Sequence, residues 1–162
     1  MLSHLAEPAA SVAEMARVLK RHGRLGISSW AGTPGDTPPG RVWQQHLEAQ
    51  LGVAECEAVT RQQLPSEALL SDPKPLELLL ARAGLEVQTV VVQPFNISIS
   101  TADFVSSRSV SAPARRLQER LSKTAWNAFL ADVSADLIAR FGHRVVFVLR
   151  ACLVRGMRGW AV

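Results

Sequence analysis

The sequence lacks the marks of several protein classes. It has only two cysteines, Cys56 and Cys152, far apart and without metal-ligand spacing. That excludes a disulfide-rich scaffold and suits a reducing cytoplasm, with one disulfide still open. No metal is expected, since His22, His46 and His143 have no second ligand nearby. There is no long hydrophobic run: the apolar stretch from Val145 to Val154 is interrupted by Arg150 and is too short for a bilayer. The first residues show no basic region followed by an apolar one, so no signal peptide is expected. Charge of one sign is scarce as well: the formal net charge is +4 in 162 residues. Two basic clusters exist, Arg17/Lys20/Arg21/Arg24 and Arg115/Arg116/Arg120/Lys123. Neither has the interleaved aromatics of a nucleic-acid surface, so both are read as solvated helix faces. The expectation is a cytoplasmic chain with neither a nucleic-acid nor a membrane partner. No internal repeat and no low-complexity tail is visible.

What is present is a globular composition, with 48% hydrophobic and 20% charged residues. Helical and strand-like runs alternate, which predicts an α/β fold. A helix begins near Glu7-Pro8 and carries Val12, Met15, Ala16 and Leu19 on one face, with Glu7 as its cap and Gly23 as its left-handed stop. Leu25 to Trp30 reads as the first strand. After a Gly/Pro loop (Ala31 to Gly40), a helix is predicted from about Arg41 to Leu51, ended by Gly52. Val53 to Ser71 is undecided, with one short helix within Gln62 to Leu70. Asp72 and Pro73 open a clearer helix that Gly84 stops. Leu85 to Gln93 is the second strand. Pro94 ends it, unless Phe95, Ile97 and Ile99 continue as an edge. Ser100 to Asp103 has capping-box spacing and opens a short helix. Pro113 starts another, and Thr124 to Phe141 is the longest. Val145 to Val154 is a third strand, apolar enough to be central.

The loop invites a phosphate-binding reading, because Gly35 and Gly40 lie between a strand and a helix. Arg41-Val42 replaces the Lys-Ser/Thr that phosphate and magnesium would need, and Pro38-Pro39 remove backbone donors. A connecting loop is the better reading. Ser28, Ser29 and Trp30 end a strand, where open α/β sheets place their ligand crevice. Trp30 either lines a pocket or packs under the loop. Trp43 and Phe95 are further candidates for the same wall.

Residues His4 to Trp30 (HLAEPAASVAEMARVLKRHGRLGISSW) resemble class I S-adenosylmethionine-dependent methyltransferases with a "methyltransferase type 11" domain. The resemblance rests on His4-Leu5, Glu7-Pro8, Glu14, Arg17-Val18-Leu19-Lys20 and Gly23, with Arg21-His22 in place of the usual Pro-Gly. Ala83-Gly84-Leu85-Glu86-Val87 resembles the lead into the family's sixth strand, and Val145 to Arg155 its seventh. The resemblance implies a partial Rossmann-like methyltransferase sheet: strands five, six and seven of a doubly wound order 3-2-1-4-5-7-6, the last antiparallel, with covering helices. It implies one domain over 1–162, the C-terminal part of that fold, with a helical insertion at about 101–142. It implies S-adenosyl-L-methionine as cofactor and a small-molecule methyl acceptor. Ser3, His4 and Leu5 would lie beside the cofactor, with His4 as catalytic base. Ser29, Trp30, Trp43 and Phe95 would form the substrate pocket. The family's Gly-rich turn and its ribose-binding acidic residue are not in the sequence. The expectation is therefore a truncated enzyme, or a non-catalytic module that dimerises or completes a partner's sheet through an exposed edge.

Overall fold

The computed structural model describes residues 2–159. The chain has an α/β fold: a three-stranded sheet flanked by helices. The strands are β1 (Arg24–Ala31), β2 (Leu85–Ser100) and β3 (Arg144–Arg158). The helices are α1 (Pro8–Val18), α2 (Pro38–Leu51), α3 (Val53–Gln63), α4 (Glu67–Leu70), α5 (Pro73–Arg82), α6 (Thr101–Ser109), α7 (Ala112–Arg120) and α8 (Lys123–Phe141), with 3₁₀ turns at Leu2–His4 and Pro34–Asp36. The sheet order is β1-β3-β2. β3 runs antiparallel to β1, with Ile27 opposite Val154, Ser29 opposite Cys152 and Trp30 opposite Ala151. Gly156 lies against Leu85, and the Arg144 Nε donates to Ser98 Oγ at 3.0 Å. The start of β2 therefore lies beside the end of β3, and those two strands are antiparallel as well. Among the described residues, β1 has a neighbour on one edge only.

The described residues of Met1–Thr33, Leu64–Phe95 and Arg150–Val162 form one compact unit, and those of Pro34–Gln63 and Asn96–Leu149 form another. The core of the first joins Val12 and Ala16 of α1, Ile27 of β1, Leu70 of α4, Leu76, Leu79 and Leu80 of α5, Leu85 of β2, and Cys152 and Val154 of β3. Each buried Leu, Ile or Val among them stabilises the fold by about 1.5–3 kcal/mol relative to exposure. The second unit packs Trp43 and Leu47, Phe104, Leu117, Trp126, Phe129, Val133 and Leu137 with Val145 and Phe147 of β3. Trp126 stacks on Phe129 at 5.4 Å between ring centroids, and Trp43 meets the same ring edge-on at 5.8 Å.

Several elements differ from the sequence reading. The left-handed residue after α1 is His22 (φ 59°), not Gly23. Gly23 matters for space instead: a Cβ there would lie 2.7 Å from the Lys20 carbonyl oxygen. The helix also ends sooner, at Val18, and Glu7 occupies the cap position without a side-chain hydrogen bond. β2 does not stop at Pro94 but runs to Ser100. Proline is tolerated because β2 is an edge strand, where a missing N–H breaks no ladder bond. α2 begins at Pro38, three residues before the expected start, because Thr37 Oγ1 accepts from Gly40 N at 3.2 Å and both prolines fit the first turn. α3 fills much of the undecided segment. It buries only Cys56, so it carries no apolar stripe to read.

Ion pairs pin the helical unit. Glu55 accepts from Arg120 Nη2 at 2.6 Å and from Arg116 Nε at 3.2 Å. Asp136 accepts from Arg140 Nε at 2.7 Å and lies 3.1 Å from His46 Nε2. The Arg120 and Arg116 guanidinium groups hold the Glu55 carboxyl below its ordinary value, and Arg140 followed by His46 does the same to Asp136. The unfolded chain therefore binds more protons than the folded one at these sites. Their stability contribution is full above the ordinary carboxylate range and is lost as pH falls through the lowered folded values. Urea midpoints should fall on acidification below about pH 5. Asp136→Asn should flatten that decline, and an unchanged acid limb in this variant would contradict the assignment.

Candidate functional site

β1 alternates its side chains across the sheet. Leu25, Ile27 and Ala31 join the core of the first unit, whereas Trp30 stands 49% exposed. Two local ties shape the space at the carboxyl end of this strand. The Ser66 backbone N–H donates to the Ser3 carbonyl at 3.1 Å, and the Ser66 hydroxyl donates to the Leu5 carbonyl at 2.6 Å. They fasten the Leu2–His4 turn to the start of α4. Gly32 N donates to the Ser71 carbonyl at 3.0 Å, which fastens the exit of β1 to the end of α4. A cleft of about 300 Å³ results, lined by Leu2, Ser3, Ile27, Ser28, Ser29, Trp30, Leu70, Leu76 and Ala151.

The cleft thus brings together Ser3, Ser29 and Trp30, three of the residues singled out in the sequence. His4 belongs to the same 3₁₀ turn as Ser3 and is exposed, and Leu5 follows it at 36% exposure. Trp43 is not in this wall: it is 4% exposed and edge-on to Phe129 in the core of the other unit. Phe95 lies on β2, 44% exposed, and does not line the cleft. Leu70, Leu76 and Ala151 had no sequence signal as wall residues. Their apolar spacing marks helix and strand cores, and only tertiary packing shows that one end of that core is open.

The cleft's chemistry is neutral. Its lining residues are five aliphatic ones, three serines and one tryptophan, and none of those described carries a charge. This set does not fit the bulk of S-adenosylmethionine. That molecule presents a ribose diol, a charged amino-acid group and a sulfonium. The lining offers no carboxylate for the diol, and the Ser3 and Leu5 carbonyls already accept from Ser66. It can surround an uncharged group and hold it by hydroxyl hydrogen bonds. Neither cysteine supplies a nucleophile here. Cys56 and Cys152 are buried and unbridged, and burial pushes both thiols up, away from the thiolate. Among the described residues, no three of His, Cys, Asp and Glu converge to hold a metal ion, and no helix is long and apolar enough to cross a membrane.

No protein-family model and no curated protein sequence matches the chain. Solved structures do resemble it. One is a presumptive methyltransferase from Bacillus halodurans C-125, 16% identical, with a TM-score of 0.48 over 98% of this chain. Another is the YcgJ protein of Bacillus subtilis, 18% identical, with a TM-score of 0.49 over 99% of this chain. The match spans 66% of the first of those chains and 61% of the second, under two thirds of each. At these values the likeness transfers neither a residue role nor an activity.

Proposed function

We propose that the chain forms the acceptor side of an S-adenosylmethionine-dependent methyltransferase acting on a small molecule. The observation that carries this reading is the sheet order. The three strands lie β1-β3-β2 with β3 antiparallel to β1. That is the order the methyltransferase resemblance of His4 to Trp30 implies for strands five, seven and six. The cleft at the end of β1 supports the same reading, since ligands of open α/β sheets sit at the carboxyl ends of strands. On this reading residues 1–162 are the C-terminal part of the fold, with a helical insertion at about 101–142. The residues that hold the cofactor are supplied by polypeptide outside these 162 residues.

Within that role the chain's own residues do three things. Ser3 and Ser29 orient the acceptor by hydrogen bonds. Leu2, Ile27, Leu70 and Leu76 keep water from it. Trp30, with Ser28 on the other face of β1, borders the opening. Fixing an acceptor at near-attack geometry is the main service an enzyme gives to a transfer whose donor is already activated. His4, on the same turn as Ser3, would take the acceptor proton where the acceptor must ionise. The test is calorimetry with S-adenosylmethionine titrated into the 162-residue chain. No binding in the micromolar range is expected, and micromolar binding would overturn the acceptor-side assignment.

A second reading is favoured by one observation, the unpaired edge of β1 among the described residues. Such an edge is a template for another strand. In this reading the chain is a non-catalytic module that dimerises or completes a partner's sheet. Sedimentation of the purified chain separates the two: a dimer at micromolar concentration that Ile27→Pro dissociates supports the module, and a monomer removes it.

A further inference from the structure

We propose that the sheet face carrying Trp30, Leu153 and Arg155 packs on the same face of a second copy of this chain about a two-fold axis, each Trp30 seating on the Gly26 of the other copy. The proposal rests on the dimerising reading above and moves its contact from the β1 edge to the sheet face. The strand register defines that face. Ile27 pairs with Val154 and Ser29 with Cys152, and Ile27, Cys152 and Val154 are buried in the first core. The alternate rungs, Gly26–Arg155, Ser28–Leu153 and Trp30–Ala151, point the other way. The Gln88 amide reaches Met157, the rung partner of Arg24, so Gln88 and, by alternation, Val90 lie on this face too. An antiparallel sheet that keeps one face in water turns polar residues outward. Here the outer face is apolar over much of its extent: Trp30 is 49% exposed, Val90 41% and Leu153 39%. Burial of such a patch against a partner is favourable.

Shape selects a second copy as the partner. The Ser28–Leu153 rung lies midway between a bulky position, Trp30, and an open one, Gly26, each two residues or about 7 Å along β1. A Cβ at Gly26 would meet nothing within 4 Å. A two-fold axis that lies between the two sheets and crosses the strands at the middle rung brings each indole over the gap at the other Gly26. It also brings Leu153 over Leu153. A two-fold interface requires such a self-complementary patch. Charge agrees with shape. Arg155 is the rung partner of Gly26, so the guanidinium of one copy stands beside the indole of the other, where a cation–π contact forms. The two Arg155 side chains fall on opposite sides of the axis and do not oppose each other. Among the described residues, Arg155 has no ion-pair partner to lose.

The test is sedimentation of the purified 162-residue chain over a range of concentrations. Three strands about 4.8 Å apart and about 20 Å long make a patch below the roughly 800 Å² per partner of a standard interface, so a weak dimer in the micromolar range is expected. Gly26→Val should weaken it by at least about tenfold, because the new side chain fills the seat of the indole. This variant keeps the fold, since its Cβ meets no atom of its own chain and valine suits a strand. An unchanged urea midpoint checks that. Trp30→Ala and Leu153→Lys, both at exposed positions, should each weaken the dimer by a similar factor. Pairing through the β1 edge would respond differently, because a backbone ladder keeps its hydrogen bonds in Gly26→Val. A dimer that Gly26→Val and Leu153→Lys leave intact would overturn the face contact and keep the dimerising reading. A monomer at every concentration would remove both.

Discussion

Phe104→Ala is expected to lower the stability of the chain by about 3–5 kcal/mol, the range for truncating a fully buried phenylalanine. Phe104 is the largest of the fully buried side chains among the described residues. Its ring meets Phe147 edge-on, with centroids 5.8 Å apart and planes at 80°. The Arg108 guanidinium lies over the ring, 5.3 Å from the centroid. Truncation thus removes apolar burial, an aromatic pair of about 0.5–1.5 kcal/mol and a cation–π contact. It also worsens an existing strain. The Arg108 Nε is buried without a hydrogen-bond partner, and burial already pushes its pKa down. Without the ring beneath it, the charge keeps its desolvation cost and loses a favourable neighbour. Urea unfolding followed by the emission of Trp43 and Trp126, both packed on Phe129, reads this unit directly. Phe104→Leu should recover most of the loss. A loss under about 1 kcal/mol in Phe104→Ala would show that the site collapses around the gap, against the packing described.

Arg158→Ala is expected to cost about 2–3 kcal/mol, since the lost hydrogen bonds involve a charged donor at a helix carboxyl end. The Arg158 Nη1 donates to the carbonyls of Arg17 and Leu19 at 2.6 Å each and reaches that of Ala16 at 3.3 Å. These carbonyls lie at the end of α1, where the last turn lacks its full set of intrahelical donors; that of Ala16 also accepts from Leu19 N at 3.3 Å. The strand pairing itself survives the substitution, because His22 N donates to the Arg158 carbonyl and Arg158 N donates to that of Gly23. The effect should therefore be local. Amide exchange in the last turn of α1 should accelerate in Arg158→Ala, and Arg158→Lys should restore only part of the stability, since an ammonium lacks the planar fork. Unchanged exchange in α1 would contradict the capping role.

Arg158 also shows why part of this fold is hidden in the sequence. Its partners lie about 140 positions away, and no local pattern announces them. Local chemistry was legible at several helix ends, though not at those of α1, where Glu7 makes no side-chain cap bond and His22 rather than Gly23 is left-handed. Gly52, Gly84 and Gly142 stand at helix ends with φ of 83°, 77° and 80°. Asp72 caps α5 by accepting from Lys74 N at 2.7 Å, and Ser100 caps α6 by accepting from Asp103 N at 3.0 Å. The apolar run of β3 identifies the middle strand, covered on both edges. What was not legible depends on partners. Pro94 reads as a strand end until β2 is known to be an edge. Trp43 reads as a weaker candidate for the wall, more often core, and α8 places Phe129 beside it in the core. For the site, the end of β1 was visible as Ser28-Ser29-Trp30, but the opposite wall comes from leucines whose spacing signals only burial.

The most direct test of the proposed role is methyl transfer by the protein isolated from its native host. It would be incubated with S-adenosylmethionine labelled in the methyl group and an extract of that host's small molecules. Label in an uncharged small molecule is expected, with the rate falling on the order of a hundredfold in His4→Ala, as for loss of a general base. Absence of label from every small-molecule fraction, with the protein folded and the cofactor intact, would contradict it.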